Sequence, residues 1–288
     1  MIDMFQLDFM VQAFVVSIII SIVLSYLGVH VVGRGIVFVD LALGQISSLG
    51  VAFSDYVGYG KTIIPILFAL TGALLMSLIN IRDKRLKLEA IIGIIYAIAS
   101  AVTVMLISKT PHGDSDIQEV LFGNILAVDW EQIKIIGFIF GAIALLHLIF
   151  HKKFFLLTES FVAEDPTIAS ATFRKKGLFS LWNFIFYLSI GLAIVFAVRV
   201  SGVIPVFSFL IIPAVGAIML SKKNRSVIMI AGTISVLGAF FGLYVSFTYD
   251  FPAGSSLVAV LGGIFLLISL FYLFKSRMKK HAKINQQN

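Results

Sequence analysis

The chain is a succession of long apolar runs separated by shorter polar or charged segments. The runs lie at residues 9–32, 36–54, 62–80, 88–108, 132–151, 179–199, 203–221, 226–248 and 254–274. Their lengths are close to the ~20 residues that an α-helix needs to cross a bilayer. The pattern predicts about eight to nine membrane-spanning helices. The exact number depends on the run at 203–221, which contains Pro205 and Pro213 and is expected to be kinked or broken.

The composition indicates the same class of protein. Hydrophobic residues make up 59% of the chain and charged residues 13%, and the mean hydropathy is +1.04, whereas soluble proteins contain about 45–50% apolar and about 25% charged residues. Continuous apolar runs favour helices, because the strands of a membrane barrel alternate apolar and polar residues. The sequence therefore predicts an all-α polytopic membrane protein. Its first run should stay as a helix, because no basic segment precedes it as in a signal peptide.

Lysine and arginine are concentrated in every second connection. The basic segments are 82–87, 152–176, 222–225 and 275–283, which follow the third, fifth, seventh and ninth runs. Basic connections are typical of the cytoplasmic side. We therefore predict that these segments and Arg34 are inside, with the N-terminus outside and the C-terminus inside. The net charge of +7 then belongs to loops that face anionic lipid, and nucleic acid is not needed to explain it.

Two connections are too long to be plain turns. The outer one, 109–131, is acidic and contains a short apolar stretch at 120–127, which is expected to be interfacial or re-entrant. The inner one, 152–178, is expected to form short helices on the cytoplasmic surface that could dock a soluble partner. We expect residues 1–275 to form a single transmembrane domain and residues 276–288 to form a basic cytoplasmic tail.

The chain lacks the signatures of common catalytic sites. It has no cysteine, no phosphate-binding loop of the Gly-x-x-x-x-Gly-Lys-[Ser/Thr] type, and no His-Glu-x-x-His or Gly-x-Ser-x-Gly motif. His147 and His151 lie four residues apart and could hold a metal, but an interfacial role is favoured because no third ligand is near them in sequence. We predict no catalytic residue and no bound cofactor.

The second apolar run carries an unusual number of polar residues. They form two neighbouring helical stripes, Asp40, Gly44 and Ser47 on one and Leu41, Gln45 and Ser48 on the other. Oxygen donors on one side of a helix suit a hard or borderline cation that has lost part of its water. Helix packing is the other interpretation, because small residues let membrane helices approach closely. Packing does not explain the carboxylate of Asp40, unless it lies at the membrane boundary near Arg34, about one and a half turns away.

Four segments together resemble a known family. They are Arg34–Phe53, Glu89–Ile94, Gly202–Ala214 and Asp250–Ser255. Their order and spacing resemble those of the permease subunit of the ATP-binding-cassette importers for zinc, manganese and iron, and the resemblance covers essentially the whole chain. It implies a type II importer permease of the bacterial cytoplasmic membrane that moves a divalent metal ion by alternating access. It also implies a homodimer of permeases, cytoplasmic ATPase subunits that bind ATP, and an extracytoplasmic metal-binding protein.

The resemblance also implies roles for individual residues. Glu164, Asp165 and Pro166 fall near the start of a segment that resembles the cytoplasmic coupling helices, which fit a groove on the ATPase. The candidate residues of the translocation path are Gly44, Ser47, Ser48, Ser208 and Pro213, and the candidate metal contacts are Asp40 and Gln45. Pro213 frees a backbone carbonyl that lines a path or only kinks the helix. Asp250 to Ser255 is interpreted as the start of the last helix rather than as a metal contact.

The sequence departs from the family at the expected ligands. The second span of the family usually carries Gly-Asp-x-x-x-His, a carboxylate and an imidazole on one helix face. Aligned to Gly50, the aspartate position is Leu41 and the histidine position is Gln45, while Asp40 stands one residue earlier. A shift of one residue rotates a helical side chain by about 100°, so Asp40 cannot simply replace the missing aspartate. Either the metal passes without the usual ligands, or the cargo differs, for example a haem or siderophore chelate. A secondary transporter or a membrane enzyme is the least favoured possibility.

Overall fold

The computed structural model describes residues 3–60, 63–79, 88–109, 121, 123–162 and 181–285. This part of the chain forms ten α-helices and two short 3-10 turns, and it contains no strand. The helices are α1 (Asp8–Gly33), α2 (Val39–Val57), α3 (Ile63–Leu78), α4 (Leu88–Ile107), α5 (Trp130–Ile149), α6 (His151–Val162), α7 (Leu181–Ser201), α8 (Val203–Leu220), α9 (Asn224–Tyr249) and α10 (Ala253–Asn285). The prediction of an all-α polytopic protein is confirmed.

The nine predicted spans correspond to α1–α5 and α7–α10. Seven helices of the described chain are long and apolar enough to cross a membrane, namely α1, α4, α5 and α7–α10. α3 is a shorter apolar helix, and α2 is less apolar because polar residues occupy its middle turns. α10 continues to Asn285, so the last helix is longer than the run at 254–274 predicts.

Two groups of helices pack on each other. α1 contacts α5, α8 and α9, and α10 lies against α8 and α9. α2 contacts α3, α4 and α7, and α7 also lies against α3. Because α7 contacts α5 and α8 as well, it connects the two groups. The crossing of α1 and α8 is very close, because a Cβ on Gly28 would overlap the carbonyl oxygen of Leu210. Small residues at such crossings allow direct backbone contact.

The run at 203–221 forms one continuous helix, α8, so the expected break does not occur. Pro205 lies in the first turn, where a backbone N–H has no intrahelical acceptor, so the missing N–H of proline removes no helical hydrogen bond. Pro213 lies inside the helix and is buried. It leaves the carbonyl of Phe209, four residues earlier, without the usual intrahelical donor. The packing of α8 between α1, α9 and α10 holds the helix together despite this lost bond.

The connections also differ in detail from the sequence-based interpretation. The outer stretch ends in a 3-10 turn at Ile125–Ala127, and the Asn124 N–H donates to the Val200 carbonyl at 3.2 Å, so this stretch packs where α7 ends and α8 begins. Asp250 has a left-handed backbone (φ 55°) and ends α9. α10 begins at Ala253, as the Pro252 segment predicts, but Asp250 acts as the cap of the preceding helix.

Candidate functional site

The polar residues of α2 are buried inside the protein. We call the following set the α2 polar face: Asp40, Gly44, Gln45, Ser47 and Ser48. The exposed fraction of the four polar side chains lies between 1% and 4%. Asp40 is in the first turn of α2, where the free N–H groups of the helix favour a negative charge.

Most of these buried polar atoms have no hydrogen-bond partner. In the described part of the chain, neither carboxylate oxygen of Asp40 and neither hydroxyl of Ser47 and Ser48 is hydrogen-bonded. Several other serines in the bundle do have partners, and Ser17, for example, donates to the Ala13 carbonyl at 2.7 Å. Within the same part of the chain, Ser201 and Ser235 are also buried without a partner, but neither lies beside a second such residue on its helix. A buried polar group without a partner costs about 1–3 kcal/mol, and a charged group costs more. The α2 polar face therefore has donors and acceptors that packing leaves unused.

The surroundings of the face are apolar. A Cβ on Gly44 would lie 3.6–3.7 Å from side-chain carbons of Val203, Ile194 and Val198, so the Asp40 stripe faces α7 and the start of α8. On another side, a Cβ on Gly50 would lie only 2.7 Å from the Cα of Pro65, which sets the close contact of α2 with α3. Glycine is needed at position 50 for α2 and α3 to approach this closely, whereas a Cβ at position 44 would make ordinary van der Waals contacts.

The helical spacing separates the oxygen donors into two levels. Asp40 and Gln45 differ by five residues, which places them about 7.5 Å apart along the helix axis and about 140° apart around it. Gln45 and Ser48 differ by three residues and are neighbours on the helix surface. One α2 helix therefore offers the Gln45 amide and the Ser48 hydroxyl close together, and the Asp40 carboxylate about 1.4 turns away from Gln45. All of them are oxygen ligands when the amide presents its carbonyl.

Ser208 and Pro213 lie on α8 and are buried. The Ser208 hydroxyl donates to the Ile204 carbonyl of its own helix at 2.9 Å, so its proton is already used. α8 meets α2 near Val203, five residues before Ser208. The structure thus brings the start of α8, rather than Ser208 itself, against Gly44.

His147 and His151 do not form a pair. α5 ends at Ile149 and α6 begins at His151, so the two residues belong to different helices. The His147 ring is buried and stacks on Phe154, with ring centroids 4.0 Å apart. His151 is exposed, and its Nδ1 lies 2.9 Å from the Leu148 carbonyl. The described residues contain no group of three or more His, Cys, Asp or Glu side chains that could hold a metal ion.

A second buried polar group joins α1, α5, α6 and α7. We call the following set the Arg34 cluster: Tyr26, His30, Arg34, His147, Thr158 and Asn183. Arg34 is only 6% exposed. Its guanidinium lies over the Phe186 ring, 3.3 Å from the centroid, and donates to Thr158 Oγ1 at 3.2 Å and to Asn183 Oδ1 at 3.3 Å. The cluster fixes the end of α1 to α6 and α7.

The hydrogen bonds at Thr158 favour a proton on His30 Nδ1. The Thr158 hydroxyl lies 3.0 Å from the Phe154 carbonyl, to which it can donate its single proton. In that arrangement it accepts from both Arg34 Nε, at 3.2 Å, and His30 Nδ1, at 2.9 Å. This arrangement favours the His30 tautomer with its proton on Nδ1, so that Thr158 accepts two hydrogen bonds from α1.

The sequence-based interpretation placed Arg34 among the cytoplasmic charges and missed this cluster. A signal was present, because Tyr26, His30 and Arg34 follow one another at four-residue spacing on one face of α1. The partners on α6 and α7 lie more than 120 residues away in the chain, so the sequence offered no indication of them. Glu164, Asp165 and Pro166, the predicted coupling residues, lie outside the described residues.

Comparisons with known proteins agree over nearly the whole chain. Residues 6–272 match the ABC 3 transport family. The manganese transport system membrane protein MntC of Listeria innocua is 31% identical over 271 residues, covering 92% of this chain and 91% of that protein. The manganese import system permease protein ScaB of Streptococcus parasanguinis is 29% identical, covering 96% and 95%. The solved structure of PsaBC from Streptococcus pneumoniae in complex with Fab aligns with a TM-score of 0.77 at 27% identity, covering 93% of each chain.

Proposed function

Because the chain belongs to the ABC 3 transport family, we propose that it is the membrane-spanning permease of an ATP-driven importer for a divalent transition metal ion, with manganese as the cargo. The relatives named above are manganese transport proteins, and the chain is similar to them from end to end. It would provide the path for the ion and would not hydrolyse ATP itself.

The observation that supports this proposal best is the set of unused oxygen atoms on the α2 polar face. The carboxylate of Asp40 and the hydroxyls of Ser47 and Ser48 are buried without partners in the described chain. A passing cation would supply the interaction that the protein does not, and the ion would exchange part of its water for these atoms. Gly44 leaves room beside them because it has no side chain.

The donor types favour manganese over zinc. Carboxylate, carbonyl and hydroxyl oxygens suit Mn²⁺, whereas imidazole and thiolate ligands favour Zn²⁺. In this chain the position of the usual family histidine is Gln45, and the position of the usual aspartate is Leu41. An oxygen-only face would therefore bind each ion weakly enough for it to move on, and would discriminate against zinc. The path would continue along α8, past Ser208 and the free carbonyl that Pro213 creates.

The proposal includes the other parts of an importer. Two copies of this chain would form a dimer in the bacterial cytoplasmic membrane, an extracytoplasmic metal-binding protein would deliver the ion, and cytoplasmic ATPase subunits would bind ATP and drive alternating access. Glu164, Asp165 and Pro166 would begin the contact with the ATPase. α6 leads directly into that segment, and the Arg34 cluster ties α6 to α1 and α7. Movement of the ATPase would thus reach the bundle through α6.

The test is metal accumulation in cells that lack the gene. We expect cellular manganese to fall, with little change in zinc and iron, and to recover when the wild-type chain is restored. Asp40→Asn should restore uptake that is roughly 10- to 150-fold lower, since an interaction with a charged group contributes about 1.5–3 kcal/mol. Asp55→Asn, which changes an exposed acid on the same helix, is the matched control and should restore uptake fully.

The outcome that contradicts the proposal is equally specific. Unchanged levels of manganese, zinc and iron in the deletion strain would exclude a metal importer, and loss of haem or siderophore use instead would indicate a chelate as cargo. Uptake by the purified chain in vesicles without any ATPase would indicate a secondary transporter.

A further inference from the structure

A large groove opens between α1, α5 and α9, apart from the α2 polar face. Its volume is about 850 Å³, within the roughly 300–1,000 Å³ that is usual for sites holding small molecules. Its walls include Ile22 of α1, Leu145 and Leu148 of α5, and Ile228 of α9. Three of these side chains, Ile22, Leu145 and Leu148, are exposed, so the groove opens sideways to the lipid that surrounds the bundle.

Two glycines make the groove deep. Gly141 of α5 and Gly232 of α9 both line it, and a Cβ on either glycine would meet no atom within 4 Å. Both lie well inside the membrane-spanning part of their helices. The space beside them is therefore unoccupied by any described side chain, and its apolar walls suit a hydrocarbon chain.

One end of the groove is basic. His151 and Lys152 at the start of α6, and Arg225 in the first turn of α9, line this end, and all three are exposed. α5 ends and α9 begins here, so the basic end lies at a membrane surface. None of the described residues that line the groove is acidic. The N-terminus of α9 adds its free N–H groups to the same end.

Polar atoms without partners lie between the basic end and the apolar depth. Tyr26 and His147 line the groove. The Tyr26 hydroxyl and both ring nitrogens of His147 have no hydrogen-bond partner in the described chain, and His147 is only 1% exposed. His147 lies in the last turn of α5, four residues before His151 at the basic end, and the Tyr26 and His147 ring centroids are 5.5 Å apart. Both polar groups thus lie just below the basic end, at the level where ester carbonyls, rather than a headgroup, accept a hydrogen bond.

We propose that this groove binds an anionic phospholipid of the adjacent leaflet, with one acyl chain beside Gly141 and Gly232. The phosphate lies against Lys152 and Arg225, and the ester region lies at the level of Tyr26 and His147. Basic pockets between membrane helices recognise anionic headgroups in this way. From Arg225 to Gly232, α9 provides about 10 Å of apolar depth for the chain. The site depends on the chain spanning the membrane and not on the identity of the cargo.

The test measures which lipid stays on the purified full chain in detergent. Immobilised protein is incubated with dioleoyl phosphatidylglycerol or with dioleoyl phosphatidylcholine, and retained lipid is quantified by mass spectrometry. We expect clear preference for phosphatidylglycerol. Since each cation near an anionic headgroup contributes about 1 kcal/mol, or roughly fivefold, Lys152→Gln with Arg225→Gln should weaken its retention by about 25-fold. The control variant, Lys222→Gln with Lys223→Gln, removes two charges at the same membrane surface but outside the groove. It should change the retention of phosphatidylglycerol little.

A second pair of variants separates the groove from general charge. Gly141→Leu and Gly232→Leu direct a side chain into the open space, since a Cβ at either position meets no atom within 4 Å. They should abolish retention of phosphatidylglycerol while the protein stays folded. Gly263→Leu on α10, where a Cβ also meets no atom within 4 Å, should have no effect. The proposal would be overturned if both lipids were retained equally, or if the Lys152→Gln and Arg225→Gln variant retained phosphatidylglycerol as well as the wild type does. It would also be overturned if Gly263→Leu lost as much phosphatidylglycerol as Gly232→Leu. Metal uptake that fails in cells leaves this measurement unaffected, so the two proposals fail separately.

Discussion

At the residue scale, the position of Asp40 relative to Gln45 determines what the α2 polar face can bind. The two side chains lie at different levels of the helix, so one ion cannot contact both on a single α2 helix. Substituting Leu41→Asp with Gln45→His would place a carboxylate and an imidazole four residues apart on one face. We expect this double variant to raise zinc uptake relative to manganese by about tenfold, because imidazole favours zinc. Competition uptake of the two metals in cells measures the ratio.

The control for this double variant is Gln45→Leu, which removes the amide and adds no metal ligand. It should lower manganese uptake without raising zinc uptake. An unchanged ratio of zinc to manganese in the Leu41→Asp and Gln45→His variant would mean that α2 does not select the ion.

Also at the residue scale, Thr158 holds two donors from α1. Thr158→Val leaves His30 Nδ1 and Arg34 Nε without their acceptor, and unsatisfied buried donors cost about 1–3 kcal/mol each. We expect the free energy of unfolding in detergent to fall by about 2–4 kcal/mol, measured by thermal or denaturant unfolding. Thr158→Ser should keep most of the stability.

Thr233→Val is the comparison for Thr158→Val. The Thr233 hydroxyl is exposed and donates only to the Met229 carbonyl of its own helix, among the described contacts, at 2.9 Å. Its loss should cost less than about 0.5 kcal/mol. Equal effects of the two valine variants would show that Thr158 does not support α1.

At the element scale, the crossing of α1 and α8 depends on Gly28. A Cβ there would overlap the Leu210 carbonyl, which belongs to the backbone and cannot rotate away. Gly28→Ala should therefore separate the two helices and lower stability by about 1–3 kcal/mol. Gly137→Ala on α5 meets only Ile19, at 3.8 Å, and should raise stability by up to about 1 kcal/mol through better helix propensity. Opposite signs for the two alanine variants are the expected result, and a stable Gly28→Ala protein would contradict this crossing.

The helices were predictable from sequence because an apolar run of bilayer length has few alternatives to a helix. The prediction of nine spans therefore agrees with α1–α5 and α7–α10. The run at 132–151 and the short helices expected after it agree with the end of α5 at Ile149 and the start of α6 at His151. The burial of Arg34 was not predictable, since it depends on Thr158 and Asn183 in distant helices. Sequence patterns report the face that a residue occupies, whereas its partners are determined by the packing of the bundle.

At the scale of the whole molecule, the alternation of basic connections predicts the orientation in the membrane. The chain has no cysteine, so single cysteines can be introduced without removing others. Tyr59→Cys, between α2 and α3, should react with a membrane-impermeant maleimide in intact cells. Lys223→Cys, at the start of α9, should react only after the cells are permeabilised. The reverse labelling pattern would invert the proposed orientation.

The two ends of α1 are held in the same way across the whole molecule. Near one end, the Gln12 side-chain amide, oriented to satisfy both partners, donates to the Val128 carbonyl and accepts from Trp130 Nε1 at 3.0 Å each. Near the other end, His30 and Arg34 form hydrogen bonds with Thr158 of α6. α1 is thus tied to the start of α5 near one end and to α6 near the other, and all three helices line the lateral groove. The described side-chain hydrogen bonds of α9, the remaining wall, stay within that helix and the turn that follows it. We therefore expect the mouth of the groove to widen by movement of α9.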